Sequence, residues 1–223
     1  MTDMKGKNKM SKFLAPIHTW LFNKIILVQD LEKDIIKLHI DKYKDDAKVV
    51  AEESIKLYGE YIPKNTLEEL IDTSNIHGWL QEKIKEVESR SSYVITRYYE
   101  LFKDESKKIT KDAYINQAKK CAKDESNKIN SPENVYISLN NYILSGMPCD
   151  RASSVTERNE EYVVYEQEGC IHRANYELGK ADLEYMSELK DIWIKTFIEN
   201  LEFKYIYEKQ INGKITINTI RKG

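Results

Sequence analysis

The segment Gly169-Cys170-Ile171-His172 sets a thiol two residues from an imidazole. If a strand runs through it, residues two apart point to the same side, and Cys170 and His172 share a face. An imidazole beside a thiol can take its proton and leave a nucleophilic thiolate, and the same pair can bind a metal. Catalysis also needs a group that orients His172; Asp191 or Glu188, on the helix expected to follow, are the candidates. A second concentration of chemistry is a phrase that occurs twice. Ile17-His18-Thr19-Trp20-Leu21-Phe22-Asn23-Lys24-Ile25 returns as Ile76-His77-Gly78-Trp79-Leu80-Gln81-Glu82-Lys83-Ile84. Neutral imidazole is the commonest metal ligand and tryptophan supplies an apolar wall, so His18 and His77 can converge on a metal, a haem or an anionic ligand beside Trp20 and Trp79. The plainer reading is two helices packed through matching aromatic faces.

Helices must carry both copies. Pro16 suits a first helical position and Ser74 or Asn75 can cap the second copy, which puts each histidine near a first turn. From Pro16, apolar residues Ile17, Leu21, Ile25, Val28, Leu31, Ile35 and Leu38 step by three and four along one helix face. The polar run Asp41 to Asp46 interrupts that helix or is an exposed part of it, and a second periodic stretch reaches Tyr61. Thr66-x-x-Glu69 is a capping-box pattern. The second copy opens a long helix through Val94 and Phe102, a charged break is expected at Asp104 to Thr110, and Thr110 can cap the next helix. Ser131-Pro132-Glu133 starts a helix expected to end at Gly146.

At Gly146-Met147-Pro148-Cys149-Asp150-Arg151 the composition changes, either as a tight connector or as a functional loop. Val155 to Glu157 and Tyr162 to Gln167 read as strands, and Ala181 to Asn200 as a helix. Leu201 to Glu208 alternates as a half-buried strand, and Asn212-Gly213 turns it into a hairpin ending near Ile220. The expected architecture is α+β: a flexible tail over 1–12, a helical region over 13–147, and an α+β region over 148–223. In it an N-terminal helical part packs on a small C-terminal antiparallel sheet with one intervening helix, and Trp193 shares a core with the repeat tryptophans.

A net charge of −2 with charged residues spread along the chain gives no field for nucleic acid, and basic patches with interleaved aromatics are missing. Apolar runs are too broken for a membrane span or signal peptide, and three cysteines without a disulfide-like framework point to reduced thiols in the cytoplasm.

The run from Val163 to Ile217 resembles the L-2-amino-thiazoline-4-carboxylic acid hydrolase family, on a strand Val163-Val164-Tyr165 leading to Cys170, then Gly179, then Asp191 on a helix, then Asn200 before a terminal hairpin. The resemblance implies hydrolysis of a C–N or C–S bond in a small cyclic amidine-like carboxylate. Cys170 would be nucleophile or ligand, His172 the acid/base, Asp191 its orienting partner, and Arg151 or Arg173 the cation for the carboxylate. Two other readings stand beside it. One is a non-catalytic small-molecule, metal or haem-binding protein using His18, His77, Trp20 and Trp79; the other is a helical interaction module pairing with a second copy through the tryptophan faces.

Overall fold

The computed structural model describes residues 15–125, 128–147, 150 and 152–223. Cys149, Arg151 and the expected tail lie outside them. The order of elements is α1 (Pro16–Tyr43), α2 (Asp45–Tyr58), α3 (Leu67–Leu70), α4 (Ile76–Glu125), α5 (Pro132–Tyr142), β1 (Ser154–Arg158), β2 (Tyr162–Glu168), α6 (Arg173–Leu178), α7 (Leu183–Glu199), β3 (Tyr205–Asn212) and β4 (Ile215–Lys222). The protein is α+β, with one antiparallel sheet in the order β1-β2-β4-β3. A short helix, α6, precedes the long intervening helix, α7, so two helices stand where one was expected.

The helix starts follow their caps. Asn75 Oδ1 accepts from the Gly78 N–H, Ser131 Oγ from the Asn134 N–H, and Asp182 from the Glu184 and Tyr185 N–H groups. Thr66 and Glu69 form the expected capping box. Several boundaries differ from the sequence pattern, and the strand expected from Leu201 begins only at Tyr205. The charged break in α4 is a single residue, Lys103, at φ 55, after which the helix resumes at once. Thr110 therefore lies inside that helix and is buried rather than capping it. α5 ends at Tyr142, before Gly146, where Ile143 turns extended.

The short repeat proves to be the start of a longer one. α1 breaks into α2 at Lys44 with φ 54 and ψ −124, and Lys103 breaks α4 with φ 55 and ψ −138. The two breaks are separated by the same interval, 59 residues, as His18 and His77. Equivalent residues meet one another along the pair: His18 against His77, His39 stacked on Tyr98 at 4.0 Å, and Tyr43 stacked on Phe102 at 3.7 Å. Two parallel helices produce this pattern when they pack through the same face, so α1–α2 and the two halves of α4 are matched units. Equivalent polar positions also do equivalent work. Gln29 grips the extended segment after α2 through both the N–H and the carbonyl of Ile62, and Glu88, at the matching place on α4, grips α6.

Two buried polar groups fasten this layer. Arg90 Nε donates to both Glu32 oxygens at 2.8 and 3.1 Å, with both side chains fully buried. Burial pushes the Glu32 carboxyl up despite the pull of Arg90. His39 donates from Nδ1 to the Ile35 carbonyl at 2.8 Å and accepts at Nε2 from Ser106 Oγ at 2.9 Å. Burial holds its pKa down to about 4 against an ordinary 6.5. A base whose folded pKa is depressed is protonated more readily by the unfolded chain, so its stabilisation is complete above pH 6.5 and is lost as pH falls towards 4. The loss by pH 4 is about 3 kcal/mol. Urea midpoints measured between pH 7 and pH 4 should fall accordingly, and His39→Gln should flatten that slope.

The main core joins Ala118 and Cys121 of α4, Val135 and Leu139 of α5, Val163, Tyr165, Tyr205 and Ile220 of the sheet, and Trp193 and Phe197 of α7. Trp20 and Trp79 pack elsewhere, beside Leu21, Phe22 and Leu80, so they do not share the Trp193 core. Alternation decides which sheet residues face inward. Along β2 the inward row is Val163, Tyr165 and then Gln167; along β4 it is Ile220, Asn218 and then Thr216; along β3 it is Tyr205, Tyr207 and then Lys209. At one end the covered face is apolar, and at the other it becomes polar.

Candidate functional site

A cavity of about 550 Å³ opens where the covered sheet face turns polar. Gln167, Thr216, Asn218, Tyr207 and Lys209 form its floor, and Cys170, His172 and Tyr176 one side. The other side is the α7 stripe of Leu183, Met186, Ser187, Lys190 and Ile194. A smaller chamber of about 100 Å³ lies behind it, walled mainly by Leu27 and Leu31 of α1, Tyr114 of α4, Tyr142 and Trp193. Four residues, His172, Tyr176, Met186 and Lys190, line both spaces. The outer cavity is the more polar of the two and the inner chamber mainly apolar, with Glu88 in its wall, and the shared wall between them carries an imidazole, a phenol and an amine.

The strand that was to carry Cys170 and His172 on one face stops at Glu168. Gly169, at φ 65, turns the chain sharply, a conformation glycine adopts without steric penalty. Cys170 is left exposed and His172 becomes the buried residue that begins α6. The two side chains thus reach the same cavity from a turn, not from a shared strand face. Asp191 also lines this cavity but does not orient His172: its carboxylate takes Lys209 Nζ at 2.7 Å. Glu188 pairs with Lys111 on the outside.

The orienting group is Glu88. Its Oε1 lies 2.6 Å from His172 Nδ1 and its Oε2 accepts from Asn175 Nδ2 at 2.7 Å, so one carboxylate fixes two positions on the first turn of α6. Glu88 and His172 are both buried. With Nδ1 committed to Glu88, the ring nitrogen left for chemistry is Nε2. The sequence signal for Glu88 was a charge on the buried stripe of α4, where Ile84, Glu88 and Ser91 are spaced as core positions.

Lys190 was missed for a related reason. It lies seven residues after Leu183 and seven before Phe197, on the side of α7 that otherwise carries Met186 and Ile194, and it interrupts an apolar stripe. Its amine makes no hydrogen bond to any described residue, and burial, reinforced by nearby Lys209, holds its pKa down against the opposing pull of Cys170, Asp191 and Glu88. Lys190, Lys209, Arg173 and Lys214 outnumber Asp191 and Glu184 on the outer wall, which favours an anion there. Arg173 is exposed and pairs with Glu177. Cys121 is buried in the main core, where its thiol is pushed up to about 11 and is unreactive.

The repeat histidines do come together, outside this cavity. His18 Nε2 and His77 Nε2 are 3.3 Å apart, and the Ala15 N–H donates to His18 Nδ1. Each tryptophan carries the lysine four residues on: Lys24 Nζ is 3.4 Å from the Trp20 ring and Lys83 Nζ 5.7 Å from Trp79. Burial brings Lys24 down to about 8. Trp20 and Trp79 line neither chamber. Among the described residues no three His, Cys, Asp or Glu side chains gather as a metal cluster, and no helix is long and apolar enough to cross a membrane.

No family model matches this chain, and no curated protein does. Among solved structures it is similar to the Fe(II) unliganded H-NOX protein from K. algicida, at 12% identity and a TM-score of 0.38, over 90% of this chain and 96% of that one. A structure described as "Modulating Heme Redox Potential Through Protein-Induced Porphyrin Distortion" is similar at 17% identity and a TM-score of 0.23, over 85% of this chain and 96% of the other. Likeness at this level carries no inference about what this chain binds.

Proposed function

We propose that the chain binds a small anionic molecule with an apolar portion, its charged end at Lys190 and its apolar end in the inner chamber. The observation that carries this reading is the wall shared by the two spaces, in which an unpaired amine and a carboxylate-held imidazole stand between a cationic cavity and an apolar one. A charged group there meets Lys190 without first breaking an ion pair, because the Lys209 charge is already taken by Asp191. A carbon chain behind it gains about 0.8 kcal/mol per buried methylene, close to fourfold in affinity, until the chamber is filled.

Calorimetric titration with straight-chain carboxylates of increasing length tests both halves. Affinity should climb with length and then level off. Lys190→Met should weaken binding by about 10-fold to 150-fold, the worth of a hydrogen bond to a charged group, with little change in melting temperature. Saturable binding that ignores Lys190→Met, or affinity that does not depend on chain length, would remove the proposal.

A catalytic use of the same cavity is favoured by one further observation: Cys170, His172 and Asp191 all line it. On the thiazoline-carboxylate hydrolase resemblance, Cys170 would be the nucleophile and His172 the acid/base, now oriented by Glu88 and not by Asp191. Lys190 would hold the carboxylate. Cys170→Ala that keeps full hydrolysis of such a substrate would strike out the nucleophile while leaving the binding site intact.

A further inference from the structure

The unused pair of imidazoles at the starts of α1 and α4 has a geometry of its own. Two nitrogens 3.3 Å apart, each set 2.0–2.1 Å from one metal ion, subtend about 107° at that ion, close to a tetrahedral angle. The two rings come from separate helices whose first turns are already packed, so bringing them together needs no folding step. His77 is exposed and His18 half-buried, which leaves the other coordination positions to water.

We propose that His18 and His77 form a two-ligand site for a borderline divalent cation such as Zn²⁺ or Ni²⁺, clasping the first turns of the matched helices. Both ligands bind through Nε2. In the metal-free pair the Ala15 N–H occupies His18 Nδ1, so the His18 proton sits on Nε2 and points at His77. On metal binding that proton moves to Nδ1 through solvent, and the exposed Ala15 N–H turns to water. The positive ends of two helix dipoles oppose a cation here, and two ligands are few, so the affinity is that of a regulatory or buffering site and not of a structural zinc. Hard cations such as Mg²⁺ gain little from imidazole and should not bind.

The test is a titration of the untagged full chain with Zn²⁺, Ni²⁺ and Mg²⁺, followed by calorimetry and by thermal melting, on the parent and on His18→Ala, His77→Ala and Cys170→Ala variants. One equivalent of Zn²⁺ or Ni²⁺ should bind, roughly tenfold or more weakly in either histidine variant and unchanged in Cys170→Ala. Melting temperature should rise with metal only where both histidines are present. Melting without metal shows whether each variant is folded. Absence of saturable binding, or binding that survives both histidine changes or disappears with Cys170, would overturn the site.

Discussion

Arg90→Met should cost about 3–5 kcal/mol, the penalty for leaving a buried carboxylate without its cation. In a chain of this size that lowers the melting temperature by roughly 10 °C. Arg90 does more than neutralise Glu32. Its Nη1 donates to the Gly59 and Glu60 carbonyls at 3.0 and 3.3 Å, and its guanidinium lies 4.6 Å from the Tyr61 ring, so it also holds the segment leaving α2 against α4. The pair joins α1 to α4, the two helices that present the inner chamber with Leu27, Leu31 and Tyr114. Replacing both partners by apolar residues of similar volume, Arg90→Met with Glu32→Leu, should recover much of the loss, because no charge is then stranded. A single variant that melts within 1–2 °C of the parent, well under the ~10 °C expected, would show that the pair holds nothing.

Gly179→Ala should be comparably severe and should also damage the site. A Cβ there would lie 1.9 Å from Ser92 Oγ, 2.6 Å from the Ser89 carbonyl oxygen and 2.7 Å from the Tyr93 nitrogen. Two of those atoms are α4 backbone, so a side-chain rotation does not relieve the contact and α6 must lift from α4. Overpacking of this kind costs about 2–3 kcal/mol or more. α6 also begins at His172, whose bond to Glu88 depends on the same close approach. Carboxylate binding should therefore fall together with stability, whereas Lys190→Met lowers binding alone. Parent-like melting and binding in Gly179→Ala would mean that α6 is not seated through this contact.

The elements themselves were legible because their signals are local. Pro16, Ser131-Pro132, the Thr66 capping box and Asn212-Gly213 are short-range chemistry, and each appears at or near its expected place. The repeat of His and Trp was legible too, and so was the meeting of His18 with His77. The extent of the matched units was not, because beyond Ile25 and Ile84 the equivalences are of shape and burial, as between His39 and Tyr98, and not of identity. The site was half legible. Cys170, His172, Arg173 and Asp191 do border one cavity, yet the groups that define its chemistry are Glu88 and Lys190. Neither lies in a motif. Each is a charge on a stripe that helical spacing marks as core, and its partner is settled only when α4, α6 and α7 are brought together. The assumption that a strand passes through Cys170 failed on a single glycine, whose positive φ has no counterpart in hydrophobic alternation.

The order of strands bears on how the chain acquires its shape during synthesis. β2 pairs with β4, which follows it only after α6, α7 and β3, while β1 and β3 occupy the two edges. The matched helices α1, α2 and α4 all precede the sheet and can pair before it exists, but β2 and β3 have no shared partner until β4 emerges to fill the gap between them. The β1–β2 and β3–β4 ladders are local hairpins, but the β2–β4 ladder joins distant residues such as Val163 and Ile220 and is slow because a long loop must close before it forms. Until then Gln167, Tyr207 and Lys209 have no common floor, so the newly made chain holds its helices before it has a place for a ligand.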